Sequence, residues 1–214
     1  MAIAAIILLI TSSVRFAAAS LVPYLSDPAS GFGWSYGAIS FAFSLQWLVL
    51  GLISPYIGWL GDRYGIRRLL LLGTFLFIGG MLLTGAMSSL WQFYLYFGLM
   101  LGIAYAIFTI LLVSGVTLWF RRYLGVAMGA VWSFQGIGVL AFILMIGAAF
   151  DQLGLKWIFW LPAIAGGALV LLLVKFFYNE PADIGLRPLG APADEPIERT
   201  REDETAKIRA RVFL

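Results

Sequence analysis

The stretch GWLGDRYGIRR, Gly58–Arg68, decides how this chain is read. It holds one acid, three arginines and three glycines in a chain that is only 12% charged and 62% hydrophobic. Long apolar runs lie on both sides of it. A charged knot between two such runs is a loop at a membrane surface, not the turn of a soluble domain. The mean hydropathy of +0.95 agrees, since soluble domains of this size are far less apolar. A bilayer core of roughly 30 Å takes about 20 apolar residues as a helix. Working outward from the loop, the sequence predicts spans at 2–25, 35–59, 69–88, 91–118, 125–149 and 157–178. Backbone groups in lipid must bond within their own segment, so the spans are helices. Residues 1–178 then form a six-helix bundle and 179–214 a charged cytoplasmic linker or tail. No positive stretch precedes the first apolar run and Arg15 sits on the wrong side of it, so that run reads as a span and not as a cleaved leader.

Orientation follows from lysine and arginine. If the spans alternate, Arg63, Arg67, Arg68, Arg121, Arg122, Lys175 and Arg187 fall on one side and Lys156 on the other. The basic side is expected to be cytoplasmic, with both termini inside, in a bacterial inner (plasma) membrane. Tyr24, Trp34, Tyr36, Trp91, Tyr94 and Trp157 would line the outer boundary. The basic balance belongs to this pattern and implies no nucleic-acid partner; the partner it implies is the lipid bilayer.

The loop motif has an echo. DRYGIR, Asp62–Arg67, and DQLGLK, Asp151–Lys156, both read Asp-x-x-Gly-x-basic, at an offset of 151 − 62 = 89 residues. One follows the second span and the other the fifth, which puts them on opposite membrane faces. The expected fold is therefore an all-α membrane protein of six transmembrane helices, arranged as a 3+3 inverted repeat.

The opening stretch resembles the loop signature of the major facilitator superfamily, Gly-x-x-x-Asp-Arg-x-Gly followed by basic residues. Gly58 and Gly61 would let the second span approach another helix. Gly65 would make the turn, and Asp62 would pair with Arg63, Arg67 or Arg68 and favour the start of the third helix. The resemblance implies that this cluster is a conformational gating loop on the cytoplasmic side. Ile66 stands where a basic residue is common. Two further segments resemble the monocarboxylate and oxalate–formate group. One is LWFRRYLGVAMGAVWSFQGIG, with Trp119, Phe120, Gly125, Ala127 and Gly129 in place and Leu124 where an arginine is expected; the other is NEPADIGLRPLG after the sixth span. The fifth span lacks the Gly-Pro pair of drug–proton antiporters. Carriers of this superfamily have twelve spans, so six imply an N-terminal half. Its partner would be a missing C-terminal six-helix half or a second copy of the chain.

One charge lies inside a span. Arg15, in TSSVRFAAAS (Thr11–Ser20), is near the middle of the first predicted span. An arginine there costs about 2.5–3.5 kcal/mol on insertion scales. Asp27, Asp62, Asp151 and Glu180 all lie outside the spans, so water, a carboxylate of a missing half or an anionic solute is its expected partner. Helical spacing puts Thr11, Ser12 and Ala19 on the face of Arg15. Gln46, Tyr105, Thr109 and Gln135 fall at similar depth in other spans. A planar guanidinium suits a carboxylate, and the resemblance adds that related proteins carry a basic residue in this helix. The candidate substrate-binding residues are thus Arg15, Tyr105, Thr109, Gln135 and Gln46. The Gly98/Gly102 and Gly125/Gly129 pairs are expected to serve helix packing. The resulting expectation is a secondary carrier for a small organic anion such as a monocarboxylate. The alternatives are a drug or other solute exporter of the same superfamily and a non-transporting six-helix membrane protein. With no histidine, no cysteine and no paired acids in lipid, neither an enzyme nor a metal or cofactor site is expected.

Overall fold

The computed structural model describes residues 2–120, 122–177 and 189; Arg121, Arg187 and nearly all of the predicted tail lie outside the described residues. Among the described residues, five helices are long and apolar enough to cross a bilayer: α2 (Tyr36–Tyr64), α3 (Ile66–Gly85), α4 (Leu90–Trp119), α5 (Leu124–Leu144) and α6 (Gly154–Lys175). They follow α1 (Ala2–Ala17). The first predicted span is interrupted where a continuous helix was expected. After Ala17 the chain tightens into a 3₁₀ turn, Ala18–Leu21, and resumes as a short helix, Val22–Ser26, with Pro23 in its first turn. Proline there has no N–H to lose to an intrahelical bond. At 1.5 Å per residue α1 alone is about 24 Å long, and the segment to Ser26 completes the crossing.

The inverted repeat is visible in the backbone. Gly65 joins α2 to α3 at φ 90°, ψ 143°, and Gly154 interrupts the helical run before α6 at φ 69°, ψ 171°. These are the matching glycines of the two Asp-x-x-Gly-x-basic motifs, and both hold an extended, positive-φ conformation that is essentially closed to other residues. They lie at opposite ends of α3. Gly65 caps its start, whereas the Lys156 carbonyl is 3.1 Å from where a Cβ on Gly85, its last residue, would stand.

Helix ends sort the charges as the repeat requires. A Cβ on Gly115 would lie 3.2 Å from the Phe177 ring and 3.9 Å from Ile66, so the start of α3, the end of α4 and the exit of α6 share one end. Arg63, Arg67, Arg68, Arg122 and Lys175 belong to that end. At the other end Lys156 lies by Tyr24, Phe32 and Trp157. A chain of ring contacts runs there from Tyr24 to Phe32 (6.2 Å), Trp34 (4.9 Å) and Phe93 (5.7 Å).

Small residues set the helix spacing in some of the expected places. A Cβ on Gly98 would stand 2.7 Å from the Leu45 side chain, and one on Gly102 3.3 Å from the Gln46 Cα, so this pair seats α4 against α2. A methyl group on Gly125 or Gly129 would meet nothing within 4 Å, so these two do not serve packing within the described bundle, contrary to expectation. A polar joint holds α3 to α6. The Trp160 indole N–H donates to the Leu82 carbonyl at 3.0 Å, and a Cβ on Gly85 would fall 2.6 Å from the same ring. Gly85→Ala is expected to push Trp160 off this bond and cost about 1–3 kcal/mol, read as a lower melting temperature in detergent.

Candidate functional site

Arg15 reaches into the bundle and is 6% exposed. Its Nε–H donates to the Gln46 Oε1 at 2.7 Å. The Gln46 Nε2 in turn donates to the Phe97 carbonyl, also at 2.7 Å. Phe97 sits in a π-helical stretch of α4, Tyr94–Met100. Such stretches widen a helix by one residue per turn and disturb its bonding ladder, which suits a carbonyl that accepts a side-chain donor. One relay thereby ties α1, α2 and α4. The guanidinium carbon lies 4.2 Å from the ring centroids of both Trp47 and Tyr105. Attraction of the cation to two aromatic rings offsets part of its desolvation. Beside it is a cavity of about 20 Å³, lined by Thr11, Gln46, Phe97 and Tyr105 and closed by apolar side chains of α3 and α4.

Three of the predicted site residues, Arg15, Gln46 and Tyr105, are therefore brought together. Thr109 and Gln135 are not among the residues that line this cavity. Each still carries a buried polar atom, the Thr109 Oγ1 and the Gln135 Oε1, that makes no hydrogen bond with the described residues, as does the Ser12 Oγ. The Thr11 hydroxyl is spent on the Ile7 carbonyl at 2.9 Å. Ala19 departs from expectation: it is exposed, because helical spacing from Arg15 ends at Ala17 and the 3₁₀ turn changes the phase. Two contributors were not anticipated, Trp47 and the Phe97 carbonyl. Trp47, one of eight tryptophans, carried no signal of its own. A backbone carbonyl offers none.

The gating-loop residues divide. A Cβ on Gly61 would stand 2.6 Å from Leu111, so α2 and α4 do approach closely there. Gly58 has nothing within 4 Å and plays no such part. Asp62 is exposed and forms no ion pair among the described residues, in contrast to the expected pairing. Arg63 instead lies over the rings of Trp59 (5.3 Å) and Tyr64 (5.5 Å). Arg67 and Arg68 are exposed in the first turn of α3.

Apolar helices in two oppositely oriented units of three, with a buried cation in their midst, define one half of a membrane-transport fold. Residues 4–210 match the model of the Major Facilitator Superfamily, and the chain belongs to that family. Its members are transporters, not enzymes. The chain is 27% identical over 182 residues to "MFS-type transporter 1" of Ophiocordyceps sp. (strain BCC 1869), covering 85% of this chain and 38% of that protein. It is 32% identical over 124 residues to "Probable transporter MCH2" of Saccharomyces cerevisiae, covering 58% and 25%. It is 27% identical over 124 residues to the "Fujikurins efflux protein" of Gibberella fujikuroi, covering 58% and 27%. The chain thus spans roughly a quarter to two fifths of the length of these relatives.

Proposed function

We propose that this chain forms one six-helix half of a secondary carrier that moves a small organic anion, a monocarboxylate first among them, by alternating access. The supporting observation is Arg15, a buried guanidinium held deep in the bundle by Gln46, Trp47 and Tyr105. Intramembrane charges of this kind mark solute pathways, and the planar fork of arginine matches a carboxylate better than it matches a neutral solute. Tyr105, Thr109, Gln135 and Gln46 are the polar groups proposed to share the solute path with it. The other half is a second six-helix unit or a second copy of this chain. We assign the end bearing Arg63, Arg67, Arg68, Arg122 and Lys175 to the cytoplasm of a plasma membrane by the positive-inside rule. The loop Gly58–Arg68 is assigned the gating role there.

A second reading, export of a larger solute, draws on the efflux protein among the relatives and on the two aromatic faces at the site. Counterflow in liposomes holding the complete protein separates the two. Labelled lactate should exchange against unlabelled lactate and pyruvate but not against lactamide, its uncharged analogue. Equal exchange of lactate and lactamide, or of neither, would contradict the anion reading.

A further inference from the structure

Resting on the carboxylate reading above, we infer that Gln46 is the site's internal substitute for its solute. Its amide oxygen holds the guanidinium while no anion is present and yields that place when a carboxylate arrives. The geometry leaves few other roles. The rings of Trp47 and Tyr105 crowd the guanidinium, each with its centroid 4.2 Å from the guanidinium carbon, which leaves the N–H edges as the approach for an anion. The Nε edge, one of the positions a bidentate carboxylate uses, is already taken by the Gln46 Oε1 at 2.7 Å. The free space alongside is about 20 Å³, enough for about one water and too little for a carboxylate. Something at the site must move for a solute to bind, and the amide stands at one of the positions that a bidentate carboxylate uses.

The chemistry of the exchange favours an anion. A guanidinium bond to an ionised acceptor is roughly twice as strong as one to a neutral acceptor. A carboxylate therefore displaces the amide oxygen, whereas an alcohol or amide offers no gain over what Arg15 already has. Gln46 thus works as a specificity determinant by competing with every neutral ligand. A carboxylate in its place would be a permanent internal rival. The same amide also donates to the Phe97 carbonyl within the π-helical stretch of α4. Turning it away from Arg15 pulls on that bond and couples site occupancy to α4.

Acetate titrated into the complete protein in detergent, followed by tryptophan fluorescence, tests this, because Trp47 lies against the guanidinium. The unaltered protein should respond to acetate and not to acetamide, and Trp47→Phe should remove the signal. Gln46→Glu should weaken acetate binding at least about tenfold, since an ionised rival replaces a neutral one. Gln46→Leu, which removes the rival, should bind acetate as tightly or tighter, and it decides the matter if the glutamate variant fails to assemble. Loss of binding in Gln46→Leu, or wild-type affinity in Gln46→Glu, would overturn the substitute role while leaving the anion site in place. No response of the unaltered protein to acetate, or an undiminished response in Arg15→Ala, would remove the underlying carboxylate reading itself.

Discussion

Arg15→Ala should cut carboxylate exchange by at least about thirtyfold, because truncating one partner of a buried charge pair costs about 2–5 kcal/mol and each 1.4 kcal/mol is a factor of ten. The loss should appear in transport more than in folding. Removing the guanidinium leaves the Gln46 Oε1 without its donor, a penalty of about 1–3 kcal/mol, but it also removes a desolvated charge from the bundle. The two changes offset one another, so the melting temperature should shift little. Arg15→Lys keeps the charge and gives up both the guanidinium's contact with the rings of Trp47 and Tyr105 and the forked donor set. Its exchange rate should fall between those of the other two proteins. Exchange by Arg15→Ala at the wild-type rate would separate this residue from the solute path.

Gly65→Ala and Gly154→Ala should each cost about 1–3 kcal/mol, the strain of holding a side chain in a region of backbone space that only glycine occupies freely. Nothing lies within 4 Å of a methyl at Gly154, so the loss there is purely conformational. Gly51→Ala supplies the comparison. That position is helical and open, and the substitution should be neutral or stabilising by up to about 1 kcal/mol. Because the two turns lie at opposite ends of α3, the losses in the double variant should add. Thermal unfolding in detergent measures all four proteins. A cost at Gly65 with none at Gly154 would mean that the two loops are not equivalent parts of a repeat.

The spans were legible because apolar runs bounded by charged loops encode membrane helices directly, and because Asp-x-x-Gly-x-basic occurs in both three-helix units. That Gly65 and Gly154 share one backbone conformation follows from the same six-residue pattern. The break after Ala17 was not legible: Ala-Ala-Ala-Ser is compatible with continued helix, and only the path toward Pro23 turns it into a 3₁₀ turn. Gly98/Gly102 and Gly125/Gly129 have the same spacing, yet only the first pair meets a neighbour. Spacing sets which residues share a helix face and is silent on what that face touches. At the site, Arg15 stood out because a charge in an apolar run is expensive wherever it points. Its partners were harder to read. Gln46 and Tyr105 were visible as polar groups at matching depth, but a tryptophan in so aromatic a chain carried no distinguishing mark. The Phe97 carbonyl becomes an acceptor only through the π-helical stretch of α4.

Central to this account is a guanidinium that an anion can reach from water. The chain has no cysteine, and Trp47 is 54% exposed while its ring covers Arg15. Trp47→Cys therefore places this chain's one thiol beside the Arg15 guanidinium. Its reaction rates with anionic and cationic methanethiosulfonate reagents should differ, the anionic reagent being several-fold faster, with the preference lost when Arg15→Ala is added. A thiol that reacts with neither reagent, or with both equally, would place Arg15 away from any aqueous path and contradict the anion-carrier account.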